Sequence, residues 1–287
     1  MGRVHQLGFD GNTTAIDANI ATIDNTLVNS AYSMTTNAKR LLVMAFARQN
    51  PNHLLRPGEK LEAVITARQW SAVYTSRRRP FEELESAAHE LQRCVLRVHP
   101  TTEYYEQWNF TEQARYYPAD SLDDARVAIT FTTNISTLLS DLFERYTSYD
   151  LRMIAELSSF YSTRMYELIA QFRNPNTGCG WIKRSIDKLK IEFEATEKYS
   201  RNNDFVKYCL VNPIEEINQK TDIVITYELT KKGRRYDMLH LSFTPKDPLD
   251  LPSSTLHKKL PNKKADAPGA DRAAISASIM DIKDTDW

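Results

Sequence analysis

Asp222-Ile-Val-Ile-Thr-Tyr-Glu-Leu229, then Thr230-Lys-Lys-Gly-Arg-Arg235, then Tyr236-Asp-Met-Leu-His-Leu-Ser-Phe243, is the stretch on which the fold turns. Both flanks alternate apolar and polar residues, the period of a strand with one buried face. Between them, Lys231, Lys232, Arg234 and Arg235 surround Gly233, and a glycine at such a point suits a tight hairpin turn. The stretch predicts a β-hairpin with a basic tip.

Upstream of it, residues 181–185 are strand-like, and Ser185 can cap a helix carrying Ile186, Leu189 and Phe193. A second helix is expected to start near Asn203 or Asp204, with Phe205, Cys209, Leu210, Ile214 and Ile217 on its apolar face. Pro213 falls inside that pattern and should kink or restart it. Strand, helix, helix, ribbon is the order of a winged helix, with the hairpin as its wing.

The same order occurs earlier in the chain. Thr35, Thr36 or Asn37 can cap a helix whose face is Leu41, Leu42, Ala45 and Phe46, and Pro51 ends it. A strand over 61–66 and a short helix over 67–74 follow. Pro80 opens a third helix with Phe81, Leu84, Ala88, Leu91 and Val95 on one face. Residues 94–98 and 126–132 are strand-like and are expected to pair as a first wing across an aromatic-rich connection. Between the halves, two apolar stripes predict linking helices: Leu138, Leu139, Leu142, Phe143 and Tyr146, then Leu157, Phe160, Tyr161, Met165, Leu168, Ile169 and Phe172, with Ser148 as a cap for the second. Both stripes are read as core.

The expected fold is therefore α+β, mostly helical, with two tandem winged-helix domains joined by a helical linker. Residues 1–25 are expected to be a flexible arm, 26–147 the first winged-helix domain, and 148–246 the linker helix with the second. Residues 247–287, rich in Pro, Ser, Lys and Asp, are expected to be a disordered tail; from Lys246 on, seven cations meet seven aspartates, so it is no polybasic anchor. The halves share a pattern, not letters.

Composition narrows the function. The 287 residues carry 37 Lys and Arg against 37 Asp and Glu, so any nucleic-acid binding must rest on local patches, not on the sum. Cys94, Cys179 and Cys209 are scattered and suit free thiols in a reducing cytoplasm. The apolar run at residues 41–47 is too short to span a bilayer, so a cytoplasmic location with no membrane partner is expected.

Three sets of residues are candidates for DNA contact. At the tip of the hairpin, Lys231, Lys232, Arg234 and Arg235 suit phosphates along a duplex, although a solvated turn would also carry such charges. At the helix near residue 204, Arg201, Asn203, Lys207, Tyr208 and Asn212 offer types that pair with base edges, and the first turns of such a helix enter the major groove. Asn203 could instead be the cap. Glu215 and Glu216 follow on a part expected to point away from phosphate and into solvent. Ahead of the third helix of the first half, Arg77, Arg78 and Arg79 sit where a helix start meets backbone phosphate, but Glu82, Glu83, Glu85 and Glu90 follow. The first domain is thus expected to make fewer base contacts than the second.

Enzymatic chemistry has no visible carrier. No phosphate-binding glycine loop is present, and His5, His53, His89, His99, His240 and His257 lack metal-ligand spacing, which argues against a metal-dependent DNA-nicking enzyme. No catalytic residue, cofactor or metal is expected.

Several stretches resemble the iteron-binding plasmid replication initiators, a bacterial family with tandem winged helices. They are Leu27-Val-Asn-Ser30 to Arg48, Pro80-Phe-Glu-Glu-Leu84 to Val98, Tyr149-Asp-Leu151 to Phe172 with its Ser159-Phe-Tyr-Ser-Thr-Arg-Met-Tyr-Glu-Leu168 core, and Tyr199 to Leu210 with Pro213-Ile-Glu-Glu-Ile-Asn218 and the basic hairpin. The resemblance implies binding of repeated origin DNA as a monomer and dimerisation through the first domain. It also implies repression of the initiator's own gene at an inverted repeat, and recruitment of the host initiator and replicative helicase, with chaperones as further partners. A winged-helix transcriptional repressor without initiator activity is the alternative.

Overall fold

The computed structural model describes residues 20–74, 79–98, 104–140, 142 and 145–246. Residues 1–19 of the expected arm, the expected tail 247–287, and Arg77 and Arg78 lie outside the described residues.

Two sheets share one strand order. In the first half, β2 (Glu62–Thr66) and β5 (Thr111–Tyr117) both pair antiparallel with β6 (Arg126–Phe131), giving the order β2-β6-β5. In the second half, β8 (Gly180–Ser185) and β9 (Ile223–Lys232) flank β10 (Arg235–Pro245), giving β8-β10-β9. In each sheet the last strand inserts between the first and second, so each half closes as a winged helix. The helices sit where expected. Helix α2 (Thr36–Phe46) is capped by the Thr35 hydroxyl, and α3 (Ala67–Tyr74) follows β2 directly. Helix α4 (Pro80–Leu91) starts on its proline, and α8 (Ile186–Glu192) is capped by Ser185. Leu41, Leu42, Ala45 and Phe46 are buried, as are Leu84, Ala88 and Leu91.

Three expectations fail, each because a distant segment outcompetes local pattern. First, residues 94–98 and 126–132 do not pair. Strand β3 (Val95–Val98) pairs with β4 (Glu106–Asn109), which lies in the aromatic-rich connection, and β6 takes the centre of the other sheet. Val127 to Phe131 are all buried, as a central strand covered on both faces requires. The first wing is therefore the β5–β6 hairpin. Second, the helix expected over residues 138–146 does not form among the residues described there, 138–140, 142, 145 and 146; residue 141, Phe143 and residue 144 lie outside the described residues. Helix α5 (Thr133–Thr137) ends early, and the Leu138 and Arg145 carbonyls accept hydrogen bonds from the backbone N–H groups of Asp24 and Asn25. Third, the arm is not loose throughout. Ile20–Asp24 forms β1, paired antiparallel with β7 (Tyr146–Asp150), and Ala21 and Ile23 are buried. Ser148 therefore lies in a strand, its hydroxyl 2.8 Å from that of Thr22. The caps that follow are Asp150, for α6 (Leu151–Ala155), and Ser159, for α7 (Phe160–Gln171).

Helix α7 belongs to both halves. Its Glu167 is fully buried and accepts from Lys39 of α2 at 2.8 Å, from Arg164 at 3.2 Å and from the Tyr149 hydroxyl at 2.7 Å. Arg164 also donates to the Val28 and Ser30 carbonyls at 2.9 Å each. Burial opposes the Glu167 charge, but Lys39 and Arg164 prevail and hold its carboxyl below the usual range. Each charge has hydrogen-bonded partners, the condition under which charges persist in a core. On its other side, α7 reaches the second winged helix, where Tyr166, and Arg173 just beyond the helix end, bond Asp222 at 3.1 and 3.0 Å.

Candidate nucleic-acid interface

The second helix of the second winged helix runs without a break from Asn202 to Lys220, but in three registers. Helix α9 (Asn202–Phe205) passes into a π-helical turn (Val206–Val211), which passes into α10 (Asn212–Lys220). Pro213 accounts for the change. It has no N–H to give and its ring would crowd the preceding turn, so a wider turn ahead of it lets the chain continue. Proline thus restarts the helix at its first turn, as expected. Phe205, Val206, Cys209, Leu210, Pro213, Ile214 and Ile217 face inward. Arg201, Asn203, Lys207, Tyr208 and Asn212 are all exposed along the other side.

The residue at the helix start is Arg201, and its side chain caps nothing; Asn203 is not the cap. Both stay available to a ligand. Tyr208 is less mobile than its exposure suggests. Its ring stacks on Tyr199 with centroids 5.9 Å apart, and the Lys207 ammonium lies 5.2 Å from the Tyr208 centroid. Cys209, behind it, is an inert thiol that burial pushes up to about 12.

The wing is longer than its sequence pattern. Strands β9 and β10 extend to Lys232 and Arg235, which face each other across a two-residue loop, Gly233-Arg234. Gly233 has φ +65°, a conformation that favours glycine. The four cations differ in their surroundings. The Lys231 ammonium sits 4.6 Å from the Tyr236 centroid. Arg235 pairs with Asp187 of α8. Lys232 and Arg234 are exposed, with no ion pair among the described residues.

Two side chains that sequence patterns did not single out tie the helix to the wing. The Lys190 ammonium of α8 donates to the Ser200 carbonyl and to Asn202 Oδ1, both at 3.1 Å. Asn202 Nδ2 donates in turn to the Tyr236 carbonyl at 3.2 Å, next to the point where the β9–β10 register shifts. Burial and the nearby Arg235 charge hold the Lys190 pKa below its usual value. An isolated Lys and an Asn beside a helix start carry no sequence signal for such a link.

Glu216 departs from its expectation as a solvated carboxylate. It accepts from Lys220, from the backbone N–H and hydroxyl of Ser158, and from the Ser162 hydroxyl, which anchors α10 to the start of α7. Burial opposes its charge, but these donors hold its pKa at about 2. Glu215 is exposed.

In the first winged helix, Arg79 is exposed at the start of α4, with Glu82, Glu83, Ser86 and His89 exposed after it. Among the described residues no group of three His, Cys, Asp or Glu could hold a metal, and no helix is long and apolar enough to cross a membrane.

The chain is thus a tandem winged-helix protein whose second module presents a helix face and a basic hairpin. Residues 20–170 match the family model described as Initiator Replication protein, WH1, and residues 185–243 match Initiator Rep protein, WH2. The chain belongs to this initiator Rep family. The first match begins at Ile20, where β1 begins, so the short strand is part of the family's first winged helix. An uncharacterized 27.6 kDa protein of Escherichia coli is 22% identical over 224 residues, which is 73% of this chain and 89% of that protein. The crystal structure of the Pi initiator protein in complex with iteron DNA is similar at a TM-score of 0.65 and 21% identity, covering 80% of this chain and 99% of that one.

Proposed function

We propose that the chain is a plasmid replication initiator that binds iteron repeats at its origin through the second winged helix and has no catalytic role. The observation that carries this is the exposed helix face of Arg201, Asn203, Lys207, Tyr208 and Asn212 beside the wing bearing Lys231, Lys232 and Arg234, on a chain of the initiator Rep family. Arg and Asn at a helix start suit base edges, and long cations at a hairpin tip suit phosphates. The likeness to the Pi protein, solved on iteron DNA, supports the same reading. The reading extends to a cytoplasmic protein that promotes origin opening and recruits the host initiator and replicative helicase. It also includes a homodimer, formed through the first winged helix, that represses its own gene.

A nuclease-protection footprint of the purified chain on its parent plasmid tests this. Protection of direct repeats beside an AT-rich stretch is the expected result. Protection of a promoter inverted repeat alone would overturn the initiator reading in favour of a repressor.

A further inference from the structure

Three elements meet beside the tip of the wing. Helix α8 supplies Asp187 and Lys190, one turn apart; the helix start supplies Ser200 and Asn202; the wing supplies Arg235 and Tyr236. Lys190 is buried, so its three donors must find acceptors there, and two are the Ser200 carbonyl and Asn202 Oδ1. Asn202 uses both ends of its amide: the oxygen accepts from Lys190, and the nitrogen donates to the wing backbone. One amide thus joins the body of the module, the start of the exposed helix and the hairpin.

We propose that Lys190 and Asn202 are positioning residues for sequence recognition, which fix the distance and angle between the reading helix and the wing. This rests on the reading that those two elements contact DNA. Base-edge hydrogen bonds tolerate errors of only about 0.5 Å, whereas long cations follow a phosphate through larger shifts. A loosened joint therefore costs discrimination and spares general affinity. Asn202 itself need touch no base.

The test is selection of the full chain, and of variants, from a random-sequence duplex library. It is paired with titrations of the best selected duplex and of a scrambled duplex at several salt concentrations. Asn202→Ala is expected to lower the ratio of the two affinities roughly tenfold, the effect of about one hydrogen bond. The selected motif should flatten at every position, with the salt slope and the affinity for scrambled DNA unchanged. Asn202→Asp retains the acceptor for Lys190 but loses the donor to Tyr236, and is expected to behave like Asn202→Ala. Lys190→Met with Asn202→Ala should lose no more than the worse single variant, because the two act as one unit. Loss of preference at a single base position would make Asn202 a direct reader and overturn the proposal. So would wild-type discrimination by Asn202→Asp, or equal loss on both duplexes. A wild-type chain that selects no motif would instead remove the proposed function itself, an outcome distinct from failure of the joint.

Discussion

The two winged helices have the same strand order and nearly opposite surfaces. In each, the three-stranded sheet is ordered first, third, second. Yet α4, which precedes the first wing, exposes Glu82 and Glu83 after a single described arginine, whereas the helix from Asn202 exposes Arg201, Asn203, Lys207 and Asn212. Their interiors differ too. The first is bolted to α7 by the buried Lys39, Arg164 and Glu167 cluster; the second meets α7 through the half-buried Glu216, Tyr166 and Arg173 contacts. The fold can be copied while surface chemistry diverges, because packing constrains inward residues and leaves outward ones free. On the proposed reading, the first module holds the chain together and the second reads DNA.

The largest expected effect breaks the first half of that comparison. Glu167→Ala leaves Lys39 and Arg164 buried without their counter-charge, and should cost about 3–5 kcal/mol in chemical denaturation. A loss below about 1 kcal/mol would mean that the cluster is not what holds α7 in the first module.

Arg201→Ala tests the second half. It should cost roughly 1–3 kcal/mol on the preferred duplex and little on random DNA, measured by salt titration on both. Equal weakening on both would make Arg201 a phosphate contact.

Arg234→Ala, at the unpaired tip, should weaken all sequences alike and reduce the salt slope by about 1. Arg235→Ala sharpens this, since Arg235 must leave Asp187 to reach a phosphate; its effect on the salt slope is expected to be smaller than that of Arg234→Ala.

The smallest effect is expected from Arg79→Ala. Its neighbours on α4 repel phosphate, so binding and salt slope should stay close to those of the wild type. A slope change as large as that from Arg234→Ala would show that the first module also grips DNA.

Much of this was legible locally. The caps at Thr35 and Ser185, the proline starting α4, the apolar faces of α2 and α4, and the basic hairpin follow from short-range rules, and the structure contains each. The exposed face bearing Arg201, Asn203 and Lys207 followed from the inward positions of Phe205, Cys209 and Leu210.

What only the tertiary structure decided are the pairings between distant segments. Strand β1 meets β7 more than a hundred residues later, and Leu138 and Arg145, read in sequence as part of a helical pattern, receive its end through their carbonyls. Strand β6 chooses β2 and β5 over β3. Lys39 and Glu167 are ordinary surface types in sequence, and become core through each other. Asn202 becomes a joint because a lysine on α8 and a carbonyl on β10 reach it from opposite sides. The physical reason is common to all four. Hydrophobic period and capping act within about four residues, whereas strand partners and buried polar groups are satisfied by whatever the closed chain brings within 3 Å.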